Sequence, residues 1–451
     1  MSKTQLECRK APRYTGHLEE SEPEWLTPKG RIRERVFCRV FLQKYPMVNV
    51  NGTFFNEDGI IADTKIIQKE IFDEIKDHVT EGLSNKSKKL MEAVTLECLE
   101  NRVIKKQTDR IHVANGTLYL DGTFSEEKQA CRNRLKVAYH ADAPQPENWL
   151  RFLNDLLEPE DILTLQEFMG YCLIPSTRGQ AMLLIKGNGG EGKSRIGVII
   201  HRMFGTNAKN GSITKVEASP FARADLQHVL VMVDDDLSLK ALKTTGYIKS
   251  IITAETPMDL ERKKEQSFQG DMFVRFIAFS NGNLEALYDH SDGFFRRQLI
   301  LSTKKRPEDR QDDPNLIDKL GPELEGIFLW CLEGLHRLLD NNYRFTISAK
   351  SVESKEFAKR NANNVIEFMR SEGYIRLKAD ATIPSKDLYA IYKMWCEDNG
   401  YTTMALRTMS GTLKDHADEF NLEASNKITN SLGKQVNGFW GIQALVNPNP
   451  F

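Results

Sequence analysis

Eight consecutive residues carry the sharpest chemical signal in the chain: Gly187, Asn188, Gly189, Gly190, Glu191, Gly192, Lys193 and Ser194. Their spacing, G-x-x-x-x-G-K-S, is that of a phosphate-binding P-loop. Glycines let successive backbone N–H groups turn toward phosphate oxygens, and a helix start adds the positive end of its dipole. Lys193 supplies a mobile full charge for the β- and γ-phosphates, and the Ser194 hydroxyl can complete a magnesium shell. The chemistry implied is the binding of ATP with Mg2+.

Three more clusters have the residue types that hydrolysis would need. The apolar run Val229–Val233 ends in Asp234, Asp235 and Asp236. Carboxylates beyond a buried strand are costly unless a cation or solvent meets them. We expect Asp234 on the metal and Asp235 as the base for the attacking water, with the order open to a shift of one. The run Phe273–Ser280 ends at Asn281, whose amide can hold the γ-phosphate and water in line. In Gly293–Leu301, Arg296 and Arg297 open a further strand, where one of them could reach a neighbouring subunit's γ-phosphate. Between these lies Met258–Phe268, read as two strands whose polar tip carries Arg262, Lys263 and Lys264. Such a tip is either a solvated turn or a finger on a sugar-phosphate backbone.

Buried strands and helices must position these groups. Ala181–Ile185 reads as a buried strand before the loop, and Ile196, Ile199, Ile200 and Met203 form one stripe of the helix after it, closed by Gly205. From Gln180 to Ser302 short apolar strands alternate with helices, which predicts an α/β core with a parallel sheet over 176–340. A long amphipathic helix is expected near Pro322–Leu339. Upstream, 51–175 reads as mainly helical. Ile66, Ile67, Ile71, Ile75 and Val79 mark one face, and a hairpin is expected at 111–122 around Asn115-Gly116. Residues 1–50 read as a polar arm or small subdomain, and 341–451 as short helices with a terminal hairpin.

Composition sets limits. With 62 basic and 63 acidic residues the formal net charge is -1, which argues against a polybasic DNA binder but leaves room for local basic patches. The seven cysteines are scattered without C-x-x-C spacing and the nine histidines do not join them, so reduced core thiols are expected and no zinc site. No apolar run is long enough to span a membrane and the first ten residues lack a signal core, so a cytoplasmic protein is expected.

Taken in order, P-loop, acidic strand, basic hairpin, strand ending in Asn and arginine pair resemble a superfamily 3 helicase, an AAA+ ATPase class of viruses, plasmids and mobile elements. Within it the chain is most similar to the helicase half of phage and plasmid primase-helicases, over about residues 60–440. Ala114–Leu120, Trp149–Asn154 and Leu165–Leu173 resemble the helical region before the motor, and Leu388–Gly400 the winged-helix domain after it. The resemblance implies a hexameric ring with ATP between subunits and single-stranded DNA in the channel. It places Lys193 and Ser194 on nucleotide and magnesium, Asp234 and Asp235 as the acidic pair, and Asn281 as polar sensor. It puts Lys249 at the start of the segment leading to the hairpin, Lys263 and Lys264 on DNA, and Arg296 or Arg297 in trans. The chain departs from the family at Thr253-Ala254-Glu255, which keeps only the usual acid, and at Asn283, where many members have proline.

In the C-terminal segment Val365, Phe368 and Met369 form one apolar face and Leu388, Ile391, Tyr392 and Trp395 another. Met404–His416 is expected as a recognition helix capped by Thr402-Thr403, with Arg407 and Lys414 meeting origin duplex. This segment carries 14 basic and 12 acidic side chains, so a packing role without DNA is the competing reading. No D-x-D strand precedes Trp149, so any primase is expected on another chain. An ATP-driven DNA helicase and initiator is the leading function. The alternatives are an ATP-switched origin-binding protein without processive unwinding, and a P-loop phosphotransferase on a small molecule.

Overall fold

The computed structural model describes residues 22–50, 52–61, 63–100, 106–128, 131–237, 244–264, 266–281, 292–307, 313–353, 364–401 and 403–447. Residues 1–21 of the expected arm, Asn283 and Thr402 lie outside them.

Two compact units divide the chain. One comprises residues 1–105 with 129–132, and the other 106–128 with 133–451. The first holds the helix Glu34–Lys44, strands β1 (Met47–Val50), β2 (Thr53–Asn56) and β3 (Gly59–Ile61) in one antiparallel sheet, and the helices Lys65–Ile75 and Leu83–Glu97. Ile67, Ile71, Ile75 and Val79 are buried as their spacing predicts. Ile66, placed on the same face, is 56% exposed, because one step of a helix turns it by about 100° off the stripe.

The second unit opens with strands β4 (Arg110–Val113), β5 (Gly116–Tyr119) and β6 (Phe124–Ser125). The hairpin expected at 111–122 is present. Val113 pairs with Gly116, so Ala114-Asn115 make the turn and Gly116 begins the strand. A Cβ at Gly116 would lie 2.2 Å from the Ser125 carbonyl oxygen, so close packing fixes the glycine. Five short strands, β2 to β6, thus accompany the helices of the region 51–175 read as mainly helical. Then come the helices Glu147–Leu156 and Pro159–Tyr171.

The centre of this unit is a five-stranded sheet. Its strands are β7 (Met182–Gly187), β8 (Ala208–Asn210), β9 (Val231–Asp234), β12 (Arg275–Asn281) and β13 (Gln298–Ser302), and the hairpin β10 (Met258–Leu260) with β11 (Phe268–Gly270) lies between β9 and β12 in sequence. The order is β13-β7-β12-β9-β8, with all neighbours parallel. Alternate residues enter opposite cores. Leu183, Ile185, Val231, Val233, Ile277 and Phe279 join the helices Glu147–Leu156, Pro159–Tyr171 and Leu324–Asp340 on one face. Met182, Leu184, Met232, Phe276, Ala278 and Ile300 join the helix Gly246–Ile252 on the other. A parallel sheet covered on both faces needs unbroken apolar runs, which is why these strands are legible as such.

The last part packs the helices Asn364–Arg370, Ser385–Asp398 and Leu406–Asp415 against strands β14 (Ile375–Pro384), β15 (Glu423–Thr429) and β16 (Gln435–Ala444), in the antiparallel order β14-β16-β15. Val365, Phe368, Met369, Leu388, Ile391, Tyr392 and Trp395 are all buried in its core. The helix expected at Met404–His416 is shorter. It begins after Ala405, and no side chain caps it, so Thr403 is not the cap. The six described cysteines are buried and no disulfide joins them. Among the described residues no helix is long and apolar enough to cross a membrane.

Candidate functional site

Strand β7 delivers the chain at Gly187 into the glycine loop, and the helix Ser194–Phe204 leaves it. Gly189, Gly190 and Gly192 have φ of 103°, 79° and 99°, a region that side chains with a Cβ rarely adopt. At Gly187 a Cβ would lie 2.5 Å from Lys193 Nζ, so a side chain there would push the lysine aside. Lys193 is buried at the helix start. Its Nζ donates to Glu191 Oε2 at 2.8 Å and to Asn281 Oδ1 at 3.0 Å.

The sheet register sets the second contact. β12 runs beside β7 with Asn281 opposite Gly187, so the amide at the tip of one strand meets the lysine beyond the tip of the other. β9 lies on the far side of β12, and its acids divide. Asp234 is buried. Its Oδ2 accepts from Ile213 N at 2.7 Å, at the start of the helix Ile213–Ala218, and its Oδ1 from Asp236 N at 3.3 Å. Burial pushes its carboxyl above the ordinary value against the pull of those amides. Asp235 is exposed and lines a cavity of about 1140 Å³ together with Gly190, Gly192, Lys193, Ser194 and Asn281. The expectation put Asp234 on metal and Asp235 on water; here each Asp234 oxygen accepts one backbone N–H, and Asp235 is the acid of the pair that lines the cavity.

The opposite wall comes from the helix Glu147–Leu156. Glu323 accepts from Asn148 N and Trp149 N at 3.0 Å each, and from Asn148 Nδ2 at 2.6 Å, which locks the helix start in place. Arg151, Phe152 and Asp155 then face the cavity. A basic run after β13 completes it. Lys304 donates its backbone N–H to Leu156 O and its Nζ to Asn154 O, and Arg306 Nη1 donates to Gly190 O at 3.1 Å. Sequence reasoning passed over Lys304, Lys305 and Arg306. Three cations directly beyond a buried strand were the signal.

Arg296 and Arg297 do not line this cavity. Arg296 is exposed, while Arg297 is partly buried and donates from Nη1 to Gly293 O. Burial, then the like charge of Arg296, lowers the Arg297 guanidinium from its ordinary value. The β10–β11 hairpin forms with Leu260 opposite Phe268, and Arg262, Lys263 and Lys264 are all exposed at its tip. Arg262 lies 4.7 Å from the Phe268 ring centroid and donates to Gln227 Oε1, and Lys263 stands 5.9 Å from the Phe221 ring. Lys249 sits half-buried on the helix Gly246–Ile252.

Arg407 and Lys414 share one face of the helix Leu406–Asp415. They line a groove of about 710 Å³ with Lys386, Asn426, Asn430 and Asn437. Among the described residues no three His, Cys, Asp or Glu side chains gather as a metal cluster. A magnesium ion at the cradle would instead rest on Ser194, one acid and the nucleotide's own oxygens.

Two families match parts of the chain. Residues 185–297 match a family of unknown function (DUF5906), and residues 360–438 match a poxvirus D5 protein-like family. No curated protein matches the chain in sequence. Among solved structures, the A form apo structure of the NrS-1 C terminal region is 13% identical, with a TM-score of 0.52, over 90% of this chain and 98% of that one. The apo structure of the NrS-1 C terminal region (305-718) is 12% identical, with a TM-score of 0.50, over 91% of this chain and 100% of that one. The mixed α/β fold is therefore similar to that of this region.

Proposed function

We propose that the chain is an ATP-hydrolysing DNA helicase of replication, acting as a ring of identical subunits, hexameric by its resemblance to superfamily 3. The observation that carries this reading is a single cavity in which the loop glycines, Lys193, Ser194, Asp235 and Asn281 converge from three strand tips. The poxvirus D5-like match and the NrS-1-like fold lend support to a replication protein of the primase-helicase kind. The order of the P-loop pattern, the basic hairpin and Asn281 along the chain supports reading it as an AAA+ motor.

The residues fit a magnesium triphosphate. The loop offers backbone N–H groups and a lysine, and Ser194 and Asp235 open onto the same space. Magnesium, when bound there with the nucleotide, supplies charge against the phosphates. Lys193 grips the β- and γ-phosphate oxygens, and Asn281 orients the attacking water beside them. Asp235, rather than Asp234, is the acid that reaches metal and water. Exposed Arg296 is the arginine able to reach a neighbour's nucleotide. The exposed lysines of the hairpin tip meet the DNA backbone.

A second reading, an ATP switch that marks or melts an origin without translocating, is favoured by the groove beneath Arg407 and Lys414. Helices packed on a β14-β16-β15 sheet support a winged-helix module able to hold duplex. The test is ATPase rate with and without single-stranded DNA, beside strand displacement on long duplexes, in wild type and Lys193→Ala. We expect DNA-stimulated turnover and unwinding that the variant loses. Unwinding that survives in Lys193→Ala would falsify the motor. Opening of short sites alone would favour the switch, and turnover indifferent to DNA a phosphotransferase.

A further inference from the structure

The phosphate cradle holds an anion of its own. The Glu191 carboxylate is 4% exposed and accepts three hydrogen bonds: Asn188 N at 2.5 Å, Gly189 N at 3.0 Å and Lys193 Nζ at 2.8 Å. Burial works to raise this carboxyl, but Lys193 and the Asn188 N–H outweigh it. The group therefore titrates below its ordinary value and is ionised at neutral pH. Position 191 is one of the unspecified places in the P-loop pattern, where the motif asks for no charge. A carboxylate there has the wrong sign for a phosphate site. It ties up the lysine the phosphates need and leaves a negative charge beside them once they arrive.

The same lysine is held from its other side by Asn281 Oδ1 at 3.0 Å. A β- or γ-phosphate must therefore draw Lys193 out of a buried ion pair, whose separation is costly because the carboxylate left behind stays desolvated. The two loop N–H groups hold that carboxylate in place in the nucleotide-free protein. Other cations line the cavity, among them Arg151, Arg195 and Lys305, and attract a nucleotide without undoing this brake.

We propose that Glu191 is a positioning residue that competes with phosphate for Lys193, parking the lysine in the nucleotide-free protein and holding nucleotide affinity down so that product leaves. This rests on reading the cradle as a nucleotide site. Two neutral replacements test it in the full chain, Glu191→Gln, which keeps an acceptor for a loop N–H, and Glu191→Met, which keeps only the volume. Equilibrium titrations would use a non-hydrolysable ATP analogue, ADP and AMP. Both variants are expected to bind the triphosphate about tenfold more tightly, equivalent to about 1.4 kcal/mol. The gain should be smaller for ADP and absent for AMP, a grading by phosphate charge that a purely structural brace would not produce. Steady-state turnover should show a lower KM, with kcat lowered where ADP release limits it.

Weaker or unchanged binding of the triphosphate in whichever of the two variants folds overturns the proposal. So does an equal gain for all three nucleotides. Wild type and Lys193→Ala serve as references. If wild type binds no triphosphate, the nucleotide reading itself fails. If wild type binds and the Glu191 variants do not bind more tightly, only the competition fails.

Discussion

Asp234 and Asp235 are adjacent, yet their surroundings differ, and on the proposed reading so does their work. Asp234 accepts Ile213 N at a helix start and Asp236 N in its own turn, whereas Asp235 opens onto the cavity with Lys193 and Ser194. Asp235→Asn should therefore leave the fold intact and lower kcat by about 10²–10⁴-fold, the usual worth of a positioned acid or base. Asp234→Ala should act on stability, costing about 1–3 kcal/mol for the buried N–H groups it leaves without an acceptor. Thermal melts beside single-turnover hydrolysis separate the two effects. An Asp234→Ala protein that melts like wild type but does not hydrolyse would restore the opposite assignment. The sequence shows the acids plainly but not their order. Which way a carboxylate at a strand tip turns depends on the helix Ile213–Ala218, which lies 21 positions before Asp234 and meets it only through folding.

Among the elements, the β10–β11 hairpin carries its lysines clear of the sheet. Lys264 adopts a left-handed φ of 64° at the tip, and Arg262 is drawn back onto Phe268 and Gln227. Replacing Lys263 and Lys264 together by alanine should weaken single-stranded DNA binding about tenfold and flatten its salt dependence, since each lysine that neutralises a phosphate releases a counterion. ATPase activity without DNA should persist. Loss of that basal rate would mean the hairpin shapes the cradle instead. The β4–β5 hairpin makes a different prediction. His112 is buried, with Nε2 2.6 Å from Gln107 Oε1 and Nδ1 3.1 Å from Thr117 Oγ1. Burial, then Arg134 and Arg110, lowers its imidazole from 6.5 to about 4. The neutral ring is the form that suits the fold, so its contribution is whole above 6.5 and is lost as pH falls toward about 4. That loss amounts to about 3 kcal/mol, and a His112→Gln protein should show a correspondingly shallower fall of melting temperature with acid. An unchanged slope would place the acid sensitivity elsewhere. The hairpin at Asn115-Gly116 and the sheet strands were legible because each is a local pattern. The order β13-β7-β12-β9-β8 was not, and neither was the placing of Asn281 opposite Gly187 that follows from it, because strand pairing joins residues about a hundred positions apart. The short strands β1–β3 were missed, being of three or four residues and half-exposed, too brief for alternation to show.

For the whole molecule, the cradle of one chain gathers lysine, hydroxyl, acid and amide but not the arginine pair, which on the proposed reading a second copy supplies. The two arginines are not equivalent candidates for it. Arg297 is bound to the Gly293 carbonyl of its own chain and partly buried, and freeing it would leave that turn without its donor. Arg296 stands exposed beside it. In a ring, a subunit lacking Lys193 still presents its arginine to the next subunit, and a subunit lacking Arg296 still presents a working cradle. Mixing Lys193→Ala with Arg296→Ala protein should therefore rebuild seams in which an intact cradle meets an intact arginine. Turnover should rise above either variant alone and peak at intermediate ratios, as an arginine supplied in trans is worth about 10³–10⁵ in rate. Arg297→Ala behaves differently on this geometry, since its lesion lies within its own chain at Gly293. It should lower the melting temperature and should not be rescued by the Lys193→Ala partner beyond the activity of its own seams. Rescue by Arg297→Ala but not by Arg296→Ala would exchange the two roles. Absence of recovery at every ratio, in protein that stays monomeric with nucleotide bound, would remove the shared site and with it the ring.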